Sequence, residues 1–221
     1  MRLVIDMQGA QSASRLRGIG RYTMALVQEM ARQRGEHEML LVLNAAYADT
    51  IEPIRASFAE LLPFEAIRVF DVAGPVGGHD PANDARRKAA ELMVEAFFAS
   101  LDPDVIFNPS LFEEFGGEAV TSVHSLHNAS PTTVVVYDLI PLIYPQIYLA
   151  SNPAMERWYF GKVDHLKRAD LLLSISESSG REAKEHLNFP EHAVTNISTA
   201  CDTQFHPIPR CQGSCRLSEM E

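Results

Sequence analysis

Hydrophobic positions along this chain gather into short, nearly uninterrupted runs, separated by longer stretches in which apolar residues recur at helical spacing. The runs rich in Val, Ile and Leu predict strands over residues 2–6, 39–44, 67–72, 105–108, 133–137, 171–175 and 194–197. Most lack polar alternation, the pattern of strands buried on both faces of a parallel sheet. Between them, Ile19, Tyr22, Leu26, Val27 and Met30 make one helical stripe that Gly35 stops. Asp80-Pro81 is a cap and first-turn pair, opening a helix expected to bury Ala89, Leu92, Ala96 and Phe97 and ended by Asp102-Pro103. Asn152-Pro153 opens another, through Trp158, Val163 and Leu166. A last helix starts at 176–179 and runs to about Leu187, before Pro190.

Repeated strand–helix–strand units imply right-handed crossovers and a Rossmann-like, doubly wound α/β fold with a mainly parallel sheet of about seven strands. Ligands of such sheets bind outside the carboxyl ends of the strands. The loops to inspect are therefore 7–20, 73–80, 109–120, 138–151 and 176–179. After Phe205-His206-Pro207 the pattern stops, and 208–221 reads as an irregular tail behind a single domain over 1–207.

Composition narrows the class. The 221 residues are 46% hydrophobic and 22% charged, as in a globular protein with an ample core. A net charge of −10 argues against nucleic acid as a partner, since phosphate backbones are bound by concentrated Lys and Arg. The local basic clusters, Arg86-Arg87-Lys88 and Lys162 with Lys167-Arg168, read as solvated helix faces. No apolar run approaches the roughly 20 residues of a membrane span, and Asp6 interrupts the N-terminal run too early for a signal peptide. The three cysteines, Cys201, Cys211 and Cys215, form neither a disulfide framework nor a zinc-ligand spacing. A cytoplasmic protein is expected, with no bound metal.

The chemical signal is Arg17-Gly18-Ile19-Gly20-Arg21-Tyr22, between the first strand and the first helix. Glycines there let a backbone approach a phosphate or sugar, and the helix start adds free N–H donors. A dinucleotide-binding Rossmann turn does not fit. The loop from Gly9 to Gly18 is too long, Thr23 holds the third glycine position, and the second strand closes on Asn44 rather than an acid.

Several blocks, read in order, carry a resemblance. They are Gly18-Ile19-Gly20-Arg21-Tyr22, Tyr137-Asp138-Leu139-Ile140-Pro141, the run from Ala169 to Ser179, and Val194-Thr195-Asn196-Ile197 followed by Asp202, Phe205 and Pro207. Together they resemble the first domain of a two-Rossmann-domain (GT-B) glycosyltransferase of family 4, nearest to the mannosyltransferase-like enzymes of bacterial surface polysaccharide synthesis. The resemblance implies transfer of a sugar from a nucleotide sugar to a glycan or lipid-linked acceptor with retained anomeric configuration and no metal or organic cofactor. It also implies that the acceptor sits on this domain and the nucleotide on a second one. No second-domain block follows Pro207, so the chain is expected to fold without turning over alone. The membrane's inner face is the expected place for a lipid-linked acceptor, and an exposed cleft wall would favour self-association. A non-catalytic carbohydrate- or partner-binding module is the rival reading.

Each candidate residue has a plain alternative. Gly18 and Gly20 suit a close approach to the diphosphate or reacting sugar, but also ordinary turn chemistry. Arg21 suits a phosphate as a fork of donors, or simply faces water. Asp138, the candidate catalytic carboxylate, ends a strand and either bonds a sugar hydroxyl or accepts N–H groups of its own turn. Many family members place a histidine just before this aspartate; here it is Tyr137. Glu113, Glu114, His124 and His127 are candidates for the acceptor pocket, against the commoner surface roles. Ser176 either contacts ligand or, with Ser178 and Ser179, caps a helix.

Overall fold

The computed structural model describes residues 1–126 and 130–200. Seven strands form one wholly parallel sheet: β1 (Arg2–Asp6), β2 (Glu38–Asn44), β3 (Ile67–Phe70), β4 (Val105–Asn108), β5 (Thr132–Val136), β6 (Leu171–Ser174) and β7 (Val194–Asn196). Their order is β3-β2-β1-β4-β5-β6-β7, so the chain winds outward from β1 in one direction and then, from β4, in the other. The register pairs Ile5 with Leu41 on one side and with Phe107 on the other. All seven predicted strands are present, with ends displaced by at most two residues. Val4, Ile5, Leu41, Val42, Leu43, Val134 and Leu172 are almost fully buried, because helices cover both faces.

The helices are α1 (Gly18–Gln33), α2 (Ala48–Phe58), α3 (Asp84–Ser100), the one-turn α4 (Ile140–Ile143) and α5 (Pro145–Tyr148), α6 (Pro153–Leu166) and α7 (Glu177–Leu187). Right-handed crossovers place α1 and α2 against one face and α3, α6 and α7 against the other. The anticipated caps are made. Asp80 accepts from the Ala82 N–H at 2.9 Å, Asn152 from Met155 at 3.1 Å, and Ser176 from Ser179 at 3.1 Å.

Three expectations about helix faces need correction. In α1 the deepest line is Gly20, Thr23, Val27 and Ala31, while Tyr22, Leu26 and Met30 are half-buried beside it. Small residues let the helix lie close to the sheet. In α3 the inward face is Ala90, Glu91, Val94, Glu95 and Phe98, one position away from the predicted stripe, and Leu92 is 43% exposed. The shift arises because two carboxylates face inward with partners. Glu95 accepts from Ser122 Oγ at 2.5 Å and from the N–H groups of Ser125 and Leu126 at 3.0 and 2.7 Å. Lys162, assigned above to a solvated face, is buried in α6 among Trp158, Tyr159, Val163 and Leu166. Helix α2 has no counterpart in the sequence reading. It buries only Thr50, Ile54 and Phe58 and carries Pro53 inside it, which breaks the expected pattern.

The connection from β4 to β5 has no helix among its described residues. It starts at the carboxyl edge of the sheet and ends at the amino edge, pinned at successive points. Val120 N–H donates to Gln8 Oε1 at 2.8 Å, Val123 N–H to His165 Nδ1 at 3.2 Å, and His124 Nε2 lies 2.8 Å from Asp170 Oδ2. Residues 201–221, which hold all three cysteines, the tail assigned to 208–221 and the end of the domain assigned to 1–207, lie outside the described residues.

Candidate functional site

In this strand order the chain reverses between β1 and β4, and their carboxyl ends bound the crevice where doubly wound sheets take ligands. Asp6 closes β1 and Asn108 closes β4. Asn108 Nδ2 lies 3.4 Å from Asp6 Oδ2. Asp6 accepts from the Gln8 N–H at 3.0 Å and from Gln8 Nε2 at 3.1 Å. Gln8 in turn bonds Val120 O at 2.7 Å and accepts from Asn44 Nδ2 at 3.0 Å. Gln11 holds the Asn44 backbone from both sides, accepting its N–H at 2.7 Å and donating to its carbonyl at 3.1 Å. The long loop after β1 is thereby fixed by buried amides before it reaches the helix.

Glu113 lies under this loop at 1% exposure, so it does not face water as a loop acid ordinarily does. Its two oxygens accept from Ser12 Oγ at 2.5 Å and from Ser110 Oγ. Gly9 fits over the same spot. A Cβ there would stand 2.9 Å from Ser110 Cβ and 3.3 Å from Glu113 Oε1. Glu114, half-buried, accepts from the Ala13 N–H at 2.5 Å and from the Tyr47 hydroxyl, so the pair of acids clamps the loop from below. Burial and the neighbouring Glu114 raise the Tyr47 phenol well above its ordinary range.

The two glycines of the helix start differ in kind. At Gly20 a Cβ would overlap Cα of Arg15 and the carbonyl oxygen of Ser14, so this glycine lets α1 seat on the backbone of the short turn Ala13–Leu16. Gly18 is exposed, and a Cβ there would meet nothing within 4 Å. Intrachain packing therefore accounts for Gly20 and leaves Gly18 open. Arg21 is exposed on the first turn of α1.

Across the crevice, Tyr137 and Asp138 follow β5. Tyr137 meets Tyr22 edge-on, ring centroids 5.7 Å apart. Its hydroxyl and Thr23 Oγ1 are buried without hydrogen-bond partners among the described residues, and burial raises the phenol above its ordinary range. Asp138 is exposed, and its Oδ1 accepts from the Ile140 N–H at 3.1 Å, while its Oδ2 makes no hydrogen bond among the described residues. Ser176 is engaged as the cap of α7, with its Oγ 2.9 Å from Ser179 Oγ, and Ser179 Oγ donates to Tyr137 O at 2.6 Å.

The structure thus brings Gly18, Gly20, Arg21, Glu113, Glu114, Tyr137, Asp138 and Ser176 to one edge of the sheet. His124 is not among them. It pairs with Asp170, which stands just before β6 and also accepts from the Thr132 N–H at 2.8 Å, at the opposite, amino edge. His127 lies outside the described residues.

Two buried ionisable groups, one ending β1 and one on α6, escaped the sequence reading of candidates. Burial lifts the Asp6 carboxyl to about 7 against the bonds from Gln8, with the Glu113 charge adding to the rise and Lys162 opposing it. Burial lowers the Lys162 ammonium to about 8, against the attraction of Glu91, Asp6 and Glu113. Lys162 Nζ donates to Thr121 O and, at 2.8 Å, to Thr121 Oγ1. The signal for Lys162 was present: it falls four residues after Trp158 on the apolar side of α6.

A parallel, doubly wound sheet with a loop-borne polar crevice at its switch point defines a Rossmann-like α/β domain. Residues 16–205 match the family model described as Glycosyltransferase Family 4, and the chain belongs to that family. It is also similar to the "Serotype-specific mannosyltransferase WbdA" of Escherichia coli. One such protein is 32% identical over 209 residues, covering 94% of this chain and 25% of the relative. A second of the same name is 30% identical over 175 residues, covering 79% of this chain and 21% of the relative. The chain thus spans about a quarter or less of the length of these relatives. The family assignment favours the glycosyltransferase domain over the rival binding module.

Proposed function

We propose that this chain is the acceptor-side domain of a mannosyltransferase that extends a glycan or lipid-linked saccharide from a nucleotide-activated sugar with retention of configuration. The observation that carries this is the exposed helix start at Gly18, held at the β1/β4 switch point by a loop fastened to Glu113 and Glu114. Its backbone can come against a pyrophosphate-linked sugar, and the N–H groups and positive end of α1 favour the negative charge that develops on the leaving diphosphate. Arg21 supplies a fork of donors to the same charge. Asp138, through its free oxygen, orients a sugar hydroxyl, and Tyr137 and Glu113 shape the floor behind the acceptor. Ser176 stands nearby as a helix cap. In this reading protein groups, rather than a metal or cofactor, neutralise the leaving group, and a nucleotide-binding domain supplies the other wall.

The names of the relatives support mannose as the sugar. Among the described residues no helix is long and apolar enough to cross a membrane. A lipid-linked acceptor would bring the domain to the inner membrane surface from the cytoplasmic side.

The test is to titrate the chain with oligomannoside acceptors and, separately, to incubate it with GDP-mannose or UDP-sugars plus acceptor. Saturable acceptor binding without sustained transfer is expected. Turnover by the chain alone would refute the division of labour, and failure to bind any acceptor would refute the assignment of this face.

A further inference from the structure

Between α3 and α6 lies a cavity of about 100 Å³ whose lining includes Arg87, Lys88, Glu91, Arg157, Gly161 and Lys162. Four basic side chains, Arg87, Lys88, Arg157 and Lys162, share this lining with a single acid, Glu91, in a chain whose net charge is −10. Glu91 lies 3.6 Å from His165 Nε2 and is drawn down in pKa by His165, Lys162 and Arg87 against its burial.

The donors are not used up internally. Arg87 gives one arm to Asp84, at 3.0 Å, while its Nη1 is buried with no hydrogen-bond partner among the described residues. Lys162 spends its bonds on Thr121 and retains a third N–H. Lys88 and Arg157 are exposed at the mouth, and neither joins an ion pair among the described residues. Gly161 borders the same space, and a Cβ there would meet nothing within 4 Å. The volume holds several waters or one tetrahedral oxyanion. A buried guanidinium N–H without an acceptor is the type of donor that an oxyanion satisfies, and Arg offers it in fork geometry.

We propose that this cavity binds a phosphate group, either as the free ion or as the end of a phosphate monoester. Arg87 and Lys162 would hold it from the floor, with Lys88 and Arg157 at the entrance. The cavity's lining shares no residue with the candidates placed at the sugar-transfer crevice, and the proposal does not depend on the reading given for that crevice.

Isothermal titration of the 221-residue chain with inorganic phosphate and, in parallel, with glycerol 3-phosphate tests the proposal at fixed ionic strength. Saturable binding is expected, weakened at least about tenfold in the Lys88→Ala/Arg157→Ala double variant, whose positions are exposed and do not endanger the fold. Gly161→Leu, which fills the space, should abolish binding while the chain stays folded by circular dichroism. Binding of both probes marks an ester end group and binding of phosphate alone marks the free ion; either supports the site. Heats that do not saturate, or binding that persists unchanged in both variants, overturn it.

Discussion

Glu113 and Ser12 are 101 residues apart in the chain, and their side chains meet at 2.5 Å. That bond fixes the loop after β1 to the segment after β4, and with it the position of the helix start that faces the crevice. The loop's order is a tertiary property, made by a buried acid and two serine hydroxyls.

Replacing Glu113 by Ala leaves the Ser12 and Ser110 hydroxyls buried without their acceptor. A loss of about 1–3 kcal/mol in unfolding free energy is expected from urea denaturation. Acceptor affinity should fall with it, because the Gly18 helix start is no longer held. An unchanged midpoint would contradict the clamp.

Gly18→Ala and Gly20→Ala should separate the two glycines. The Gly20 variant forces a methyl group onto the backbone of Ser14 and Arg15, and a cost of about 1–3 kcal/mol is expected. The Gly18 variant places its methyl in open space at a helix start, so its stability should change by less than about 1 kcal/mol. On the function proposed above, its effect should appear in sugar transfer measured with a nucleotide-binding domain present. Equal destabilisation of the two would remove the argument that Gly18 is kept for a ligand.

Burial holds the Asp6 carboxyl at about 7, while an unfolded aspartate titrates near 3.9. Between these values the folded chain keeps a proton that the unfolded chain has lost. This group therefore makes stability fall as pH rises from about 4 to about 7. Asp6→Asn cannot titrate, and the decline should flatten by an amount on the order of a few kcal/mol at most. Urea midpoints across that window give the slope directly; the same slope in both proteins would show that Asp6 is not its source. Lys162 acts in a different window. Its ammonium is lowered to about 8, so its burial cost is present below that pH and lost as pH rises toward the unfolded value.

Asp138→Asn retains an acceptor for the Ile140 N–H and removes the charge, whereas Asp138→Ala removes both. If the residue only caps its own turn, Ala should cost about 0.5–1 kcal/mol and Asn almost nothing, with acceptor affinity unchanged in either. The proposed sugar contact instead predicts weaker acceptor binding in both variants. Calorimetry with an oligomannoside distinguishes the outcomes.

Legibility in the sequence followed the kind of interaction involved. Strands β1 to β7 were readable because a sheet covered on both faces demands continuous apolar runs. Asn152 and Ser176 were readable as caps because capping is local, settled within three residues. The inward face of α3 was not, since Glu91 and Glu95 are stabilised by His165 and by the N–H groups of Ser125 and Leu126. Helix α2 escaped because Thr50 and Pro53 dilute its pattern. His124 could not be placed from sequence, because the connection from β4 runs the depth of the sheet and delivers it to the other edge, beside Asp170.

The sequence by itself determined the strand count, the parallel winding, the edge on which the loops gather and the family. Hydrophobic period, helix caps and short motifs are all encoded within a few residues of one another. Only the tertiary structure decided which polar groups share that edge, which of Gly18 and Gly20 packing requires, and that Asp6, Glu113 and Lys162 lie buried within electrostatic reach. Buried charges are tolerated only where distant segments supply their partners, and the fold alone brings those segments together.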